Sequence, residues 1–222
     1  MVKSGFFEGQ DFEKEFKALI PKFYPVKYKK YISQETKLLK QKLKGSNKIL
    51  EAGVGIGRLI LELSPLVKEF VGVDNAELML QKAKVVAKKF SNVNLVKCDL
   101  ESLSKKFKRN YFDYSLCVWN TLGNVKDEIK VLKEISYVTK NSIFITVYLK
   151  GTIENRKSWY KIVGIKIKKI DEKNEIFYSE SGLKSKSYGL NDIKRMANLS
   201  GLKIKSSKIL AGVILWIELV QR

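Results

Sequence analysis

Short apolar runs alternate with segments of helical periodicity through the middle of the chain. Continuous apolar runs of about five residues are typical of parallel strands covered on both faces. Between them, apolar side chains recur about every 3.6 positions, as at Met79, Ala83 and Phe90, and predict helices. The alternation predicts an α/β fold with a doubly wound, mostly parallel sheet. The runs that predict strands are 48–52, 69–73, 93–97, 112–118 and 142–148.

The start of the chain has a different pattern. Residues 1–44 are rich in aromatic side chains and predict a helical N-terminal cover, interrupted by Pro21 and Pro25. Ser33 is the predicted cap of its last helix, which we expect to run to about residue 44. The alternating core is expected to span residues 45–150.

The pattern changes again after the fifth predicted strand. Residues 151–189 contain short, alternating, lysine-rich segments separated by turn residues, and they predict a small antiparallel β insertion. Residues 190–222 predict a helix capped by Asn191, followed by two strands. All these parts are expected to belong to one domain spanning residues 1–222, a length that suits a single core.

The charge of the chain raises the question of its partners. The 43 basic and 23 acidic residues give a formal net charge of +20, which makes RNA a possible partner. Lysine greatly outnumbers arginine, however, and the charge is spread along the chain, which favours a solvated surface. No apolar run predicts a membrane span or a signal peptide. With only two cysteines, a cytoplasmic location is expected, and the oligomeric state is left open.

The chain contains no histidine. The commonest general base and the commonest metal ligand are therefore both missing. Its two cysteines do not have the spacing of a zinc site, so no metal is expected. Any proton transfer would have to use carboxylates, tyrosine, lysine or water.

The first predicted strand runs into three glycines at alternate positions, Gly53, Gly55 and Gly57. Glycines at such a turn allow a tight backbone and the close approach of a ligand. Glu51 stands two residues before the first glycine. The dinucleotide-binding fingerprint would require a small residue at position 58, which is Arg58. The spacing therefore disfavours a dinucleotide as the ligand.

Polar or aromatic residues follow the other predicted strands at the same edge of the sheet. Asp74 ends the second strand, Asp99 follows the third, and Trp119 and Asn120 follow the fourth. Ligands of doubly wound folds bind beyond the carboxyl ends of the strands, so these residues are expected to converge on one site. A helix cap or turn is the less favoured alternative for Asp99, whereas Asn120 is equally compatible with a turn.

Together these residues resemble the motifs of the class I S-adenosylmethionine (AdoMet) methyltransferases. The resemblance is specific over residues 45–149 and rests on pattern alone over 190–222. It implies a seven-stranded, Rossmann-like sheet whose last strand is antiparallel. It also implies AdoMet as the cofactor, with S-adenosylhomocysteine as the product and no metal.

The resemblance further implies a role for each cofactor residue. Glu51 would help to hold the methionine amine, Asp74 the ribose hydroxyls, and Asp99 the adenine amino group. The Leu100 N–H would meet an adenine ring nitrogen, and the glycine backbone would pass close to methionine and ribose. The complete predicted cofactor-binding set is Glu51, Gly53, Gly55, Gly57, Asp74, Asn75, Asp99, Leu100, Trp119 and Asn120.

The expected function is methyl transfer to a nitrogen or oxygen atom of a small molecule. The segment 23–28 and the insertion are expected to close over AdoMet, with Asn120 at the floor of an acceptor pocket. Asn120 and Tyr28 are the candidates for a catalytic role. Two alternatives remain open: a tRNA or rRNA methyltransferase, and a non-catalytic AdoMet-binding subunit.

Overall fold

The computed structural model describes the backbone of residues 16–222 and, except for Phe16 and Ala18, their side chains. The part of the predicted N-terminal cover before Phe16 lies outside the described residues. The strands are β1 (Lys48–Ala52), β2 (Glu69–Asp74), β3 (Val93–Lys97), β4 (Phe112–Cys117), β5 (Thr139–Tyr148), β6 (Ile167–Asp171), β7 (Ile176–Ser179), β8 (Lys184–Lys186), β9 (Leu202–Leu210) and β10 (Ile214–Gln221).

Seven of these strands form one sheet in the order β3-β2-β1-β4-β5-β10-β9. Strands β1 to β5 pair in parallel, whereas β10 is antiparallel to both of its neighbours, β5 and β9. The predicted mostly parallel, doubly wound sheet with an antiparallel last strand is therefore confirmed. Strand order reverses between β1 and β4, where a doubly wound fold places its ligand.

Helices cover both faces of this sheet, and each face has its own apolar cluster. Helices α1, α2, α3 and α6 pack on one face, and α5 and α7 on the other. The α-helices are α1 (Val26–Leu43), α2 (Ile60–Leu63), α3 (Glu77–Ala87), α4 (Thr121–Asn124), α5 (Glu128–Val138), α6 (Ile153–Val163) and α7 (Leu190–Leu199). Short 3-10 turns occupy Phe16–Leu19, Pro21–Phe23, Ser64–Leu66 and Leu100–Lys105. Within the described residues, none of these helices has the length and apolar character to cross a membrane.

Two predicted helix caps were wrong. Helix α1 begins directly after Pro25, so Ser33 lies inside it and caps nothing. Proline has its φ fixed near the helical value and lacks an N–H, and it therefore starts a helix as readily as it stops one. Helix α7 begins after Gly189, whose N–H donates to the Asp192 carboxylate, and Asn191 lies within the first turn.

The predicted β insertion is confirmed as a small antiparallel sheet of β6, β7 and β8. Helix α6, which precedes this sheet, was not predicted. Its buried face combines Trp159, Tyr160 and Val163 with the charged Arg156. A charged residue on the buried face breaks the apolar periodicity by which a helix is recognised in a sequence.

Candidate active site

A cavity of about 690 Å³ opens at the carboxyl ends of β1, β2, β3 and β4. Eight of the ten predicted cofactor residues line it, and Gly57 and Asn120 do not. The eight are Glu51, Gly53, Gly55, Asp74, Asn75, Asp99, Leu100 and Trp119. These eight residues lie at or just after the carboxyl ends of four different strands, and together they form most of one wall of the cavity.

The three glycines of the loop after β1 have different roles, although all have positive φ. A Cβ at Gly53 would lie 2.6 Å from the Thr121 side chain, and one at Gly57 2.8 Å from Ile60. These two glycines therefore allow neighbouring elements to pack closely. No atom lies within 4 Å of a Cβ built at Gly55, which lines the cavity. At Gly55 it is the left-handed conformation that favours glycine.

The carboxylates of Asp74 and Asp99 organise the backbone of the cavity wall. Asp74 accepts hydrogen bonds from the N–H of Gly55 at 2.9 Å and of Ala76 at 3.0 Å. Asp99 accepts from the Glu101 N–H at 2.8 Å and caps the 3-10 turn that follows it. Each aspartate thus fixes a loop and borders the cavity at the same time.

Glu51 is buried at the cavity wall, and its Oε2 makes no hydrogen bond within the described residues. Burial raises the pKa of the Glu51 carboxyl to about 8, even though the nearby Arg58 opposes the shift. An unpaired buried carboxyl is costly to keep in a fold. A cationic ligand group would provide the partner that the protein does not.

Arg58 also lines the cavity, and sequence reasoning did not assign it to the site. Its Nη2 lies 2.5 Å from Oε2 of the fully buried Glu35, on α1. The other oxygen of Glu35 accepts from Tyr31 Oη at 2.5 Å and from Thr146 Oγ1 at 2.7 Å. The Nη1 atom of Arg58 is buried and makes no hydrogen bond in the described part of the chain.

Trp119 and Asn120 both have left-handed backbone conformations, with φ of 55° and 60°. Such values are rare outside glycine and cluster at functional sites. Trp119 borders the cavity, where its ring stacks on those of Tyr24 at 4.9 Å and Tyr31 at 5.4 Å between centroids. The backbone N–H of Trp119 donates to Thr146 Oγ1, and the Thr146 hydroxyl donates in turn to Glu35.

Asn120 and Tyr28, the two catalytic candidates, do not line the cavity. The Asn120 side chain is buried, accepts a hydrogen bond from the Tyr148 N–H and donates to Ser185 Oγ. Tyr28 packs on Trp159 with 4.3 Å between ring centroids, and burial raises its pKa above the usual value. Asn120 therefore lies in the loop after β4 with its side chain turned towards Ser185 and Tyr148, and it does not form the floor of the pocket.

Both segments expected to cover the cofactor contribute to the cavity wall. Tyr24 belongs to the segment 23–28, and Gly182, Leu183 and Lys184 belong to the insertion. Leu19, which precedes the segment 23–28, also lines the cavity. Burial raises the pKa of Tyr24 to about 12, so its hydroxyl keeps its proton at neutral pH.

The described residues contain no group of three or more histidine, cysteine, aspartate or glutamate side chains that could hold a metal ion. Cys98 and Cys117 are free thiols. Burial raises the pKa of Cys117 to about 12, which suits a packing role in β4.

Comparison with known proteins agrees with this geometry. Residues 49–142 match the profile of the methyltransferase domain family. A carboxy-S-adenosyl-L-methionine synthase from Nautilia profundicola is 26% identical over 201 residues, which cover 85% of this chain and 81% of that protein.

Solved structures share the fold over nearly the whole length of the chain. The PH0226 protein from Pyrococcus horikoshii superposes with a TM-score of 0.71 and 23% identity, covering 94% of this chain and 99% of that one. Magnesium protoporphyrin IX methyltransferase from Synechocystis, with bound S-adenosylhomocysteine, gives a TM-score of 0.69 and 15% identity, covering 98% and 97%. At these identities the similarity shows the fold.

Proposed function

We propose that the chain is a class I AdoMet-dependent methyltransferase, supported by the methyltransferase-domain match over residues 49–142, and that it methylates a nitrogen or oxygen atom of a small molecule. The observation that carries this proposal is the composition of the cavity. Beside the residues of the cofactor wall, its lining includes the aromatic or aliphatic side chains of Leu19, Tyr24 and Leu183, all from outside the core. A concave, mostly apolar pocket of several hundred Å³ is the usual form of a small-molecule site.

The cofactor roles are part of the same proposal. AdoMet lies along the wall formed by the glycine loop, with its ribose near Asp74 and Asn75 and its adenine near Asp99 and Leu100. The hydrogen bonds from the Gly55 and Ala76 N–H groups hold the Asp74 carboxylate in a fixed orientation. A hydrogen bond to such a preorganised carboxylate costs little further ordering when the ligand binds.

Methyl transfer makes modest demands on the protein. The reaction is an in-line displacement at a carbon that the sulfonium already activates, so the protein supplies alignment and a dry site. Tyr24 is protonated at neutral pH and is suited to donate a hydrogen bond rather than to accept a proton. An amine that is neutral at working pH therefore fits the site better than an acceptor that needs a strong base.

A second candidate reaction follows from the relative in Nautilia profundicola, whose name describes the synthesis of carboxy-AdoMet. In that case AdoMet itself is the molecule modified, and the second substrate is a carboxyl donor instead of a methyl acceptor. The two candidates predict different products: S-adenosylhomocysteine for methyl transfer, and an AdoMet derivative with an additional carboxyl group for the second reaction.

One experiment separates these possibilities. The protein is incubated with methyl-labelled AdoMet and a cell extract, which is then fractionated into small molecules, RNA and protein, while the cofactor pool is examined by mass spectrometry. We expect protein-dependent label in the small-molecule fraction, together with S-adenosylhomocysteine. Label in RNA would support the RNA methyltransferase alternative instead. AdoMet binding without any product would support the non-catalytic subunit.

A further inference from the structure

Arg58 and Glu51 both line the cavity, and each keeps one side-chain atom without a hydrogen bond to the described part of the chain. Arg58 Nη1 and Glu51 Oε2 are both buried, and neither makes a hydrogen bond within the described residues. We infer that Arg58 binds the α-carboxylate of the amino-acid portion of AdoMet, beside the α-ammonium group that the sequence resemblance already assigns to Glu51. The inference rests on AdoMet being the cofactor and is independent of which acceptor is methylated.

The side chains of Arg58 and Glu51 do not form an ion pair with each other among the described residues. In the described part of the chain, Arg58 forms an ion pair with Glu35, and no contact within 4.0 Å joins it to Glu51. Both groups therefore remain available to a ligand that carries both charges, as an α-amino acid does. A guanidinium matches the planar geometry of a carboxylate better than any other side chain.

Glu35 is the positioning residue for this interaction. Both of its oxygens are occupied inside the protein, one by Arg58 and the other by Tyr31 and Thr146. Glu35 therefore competes for Nη2 only and leaves Nη1 for the ligand. The guanidinium also lies 5.7 Å from the Trp119 ring, which restricts the directions it can adopt.

A purely structural role for Arg58 is the competing explanation. Arg58 would then serve only to neutralise the buried Glu35 carboxylate, and its Nη1 would have no function. Loss of stability on substitution cannot separate these roles, because breaking a buried ion pair is costly in either case. A ligand that differs only in its α-carboxylate can separate them.

The test compares S-adenosylhomocysteine with S-adenosyl-thiopropylamine, the analogue that lacks only the α-carboxylate, by titration calorimetry. The parent protein should prefer S-adenosylhomocysteine by about ten- to hundredfold, as expected for a charge-assisted hydrogen bond. The double variant Glu35→Gln/Arg58→Met removes both charges of the buried ion pair together, and it should bind both ligands with nearly equal affinity. Arg58→Lys keeps the charge but loses the fork geometry, and it should retain only part of the preference.

Arg109→Met is the matched control, because Arg109 is exposed and does not line the cavity. It should keep the full preference of the parent protein. The inference is overturned if a folded Arg58 variant still prefers the carboxylate-bearing ligand as strongly as the parent does. If the parent protein binds neither ligand, the cofactor assignment itself fails, which is a different result.

Discussion

Two arginines, Arg58 partly buried and Arg156 fully buried, illustrate different ways of keeping a cation inside this protein. Arg58, beside the cofactor cavity, is paired with the carboxylate of Glu35 and keeps one N–H group unused. Arg156, on α6, is completely buried and forms no ion pair among the described residues. Its guanidinium instead lies 4.5 Å from the Tyr148 ring and 4.2 Å from the Phe177 ring.

The hydrogen bonds of Arg156 connect three parts of the chain. Its Nη atoms donate to the hydroxyls of Ser185 and Ser187 and to the Glu175 carbonyl, all within or beside the small sheet. Ser185 in turn accepts a hydrogen bond from Asn120, in the loop after β4. Arg156 therefore fixes the insertion to the core, whereas Arg58 lines the cavity. Substitutions at these two positions should separate stability from ligand binding.

The largest effect is expected from Arg156→Met. The substitution leaves several buried serine and carbonyl groups without a donor, and each such group costs roughly 1–3 kcal/mol. We expect the free energy of unfolding, measured with urea, to fall by about 3 kcal/mol or more. The folded fraction should retain the preference for S-adenosylhomocysteine over its decarboxylated analogue. A loss below about 1 kcal/mol would show that Arg156 is not the structural centre we describe.

A smaller loss of stability is expected from Glu35→Gln. The amide can still accept hydrogen bonds, but it no longer neutralises Arg58, and charged hydrogen bonds are worth about 1.5–3 kcal/mol. We expect the free energy of unfolding to fall by about 2 kcal/mol. In a thermodynamic cycle with Arg58→Met, the double variant should be more stable than the sum of the single losses implies. Strict additivity would mean that the two side chains are not coupled.

The contrast between these arginines also marks what the sequence could predict. Strand β1 was predicted with its observed bounds, because four of its five residues are buried and such central strands leave a mostly apolar run in the sequence. The glycines and Asp74 were found because each meets a local backbone requirement. Glu35 and Arg58 are 23 positions apart, and nothing local distinguishes them from the many other charged residues. Their pairing depends on how α1 packs on the sheet.

The prediction for Asn120 illustrates the same limit. Its position after β4 is next to the cavity, because Trp119 and Thr121 line the cavity on either side of it. Which way its side chain points depends on the left-handed backbone at this turn and on Ser185, 65 residues away. A sequence motif places Asn120 after β4, but it cannot predict the direction in which the Asn120 side chain points.

Asp74 has both a structural role, as Arg156 has, and a place at the cavity, as Arg58 has. Its carboxylate holds the glycine loop and borders the cavity. Asp74→Asn keeps an acceptor for one of the two loop N–H groups but removes the charge. We expect it to weaken S-adenosylhomocysteine about tenfold, or ~1.4 kcal/mol, in calorimetry. Asp74→Ala should weaken binding further, because both loop hydrogen bonds are lost. Unchanged affinity in a folded Asn variant would limit Asp74 to its loop contacts.

The smallest expected effect is the change of ligand affinity with pH, which tests the role of Glu51 in binding the ammonium group. Because burial raises the pKa of Glu51 to about 8, this carboxyl is mostly protonated at pH 7 in the unliganded protein. If the ligand ammonium requires the ionised form, affinity should fall about fivefold from pH 8 to pH 7, in proportion to the ionised fraction. Glu51→Gln should abolish this dependence.

The stability of the unliganded protein should change with pH in the opposite direction. The folded state retains a proton on Glu51 that the unfolded chain releases above its ordinary pKa of 4.5. This group therefore lowers stability as pH rises from about 4.5 to about 8, while ligand affinity rises toward the upper end of that range. Thermal melts of the parent and of Glu51→Gln, with and without S-adenosylhomocysteine, measure both trends. If the affinity of the parent protein is the same at pH 7 and pH 8, Glu51 does not bind the ammonium group as a carboxylate. Arg58 would then bind the amino-acid end of the cofactor without an ionised partner beside it.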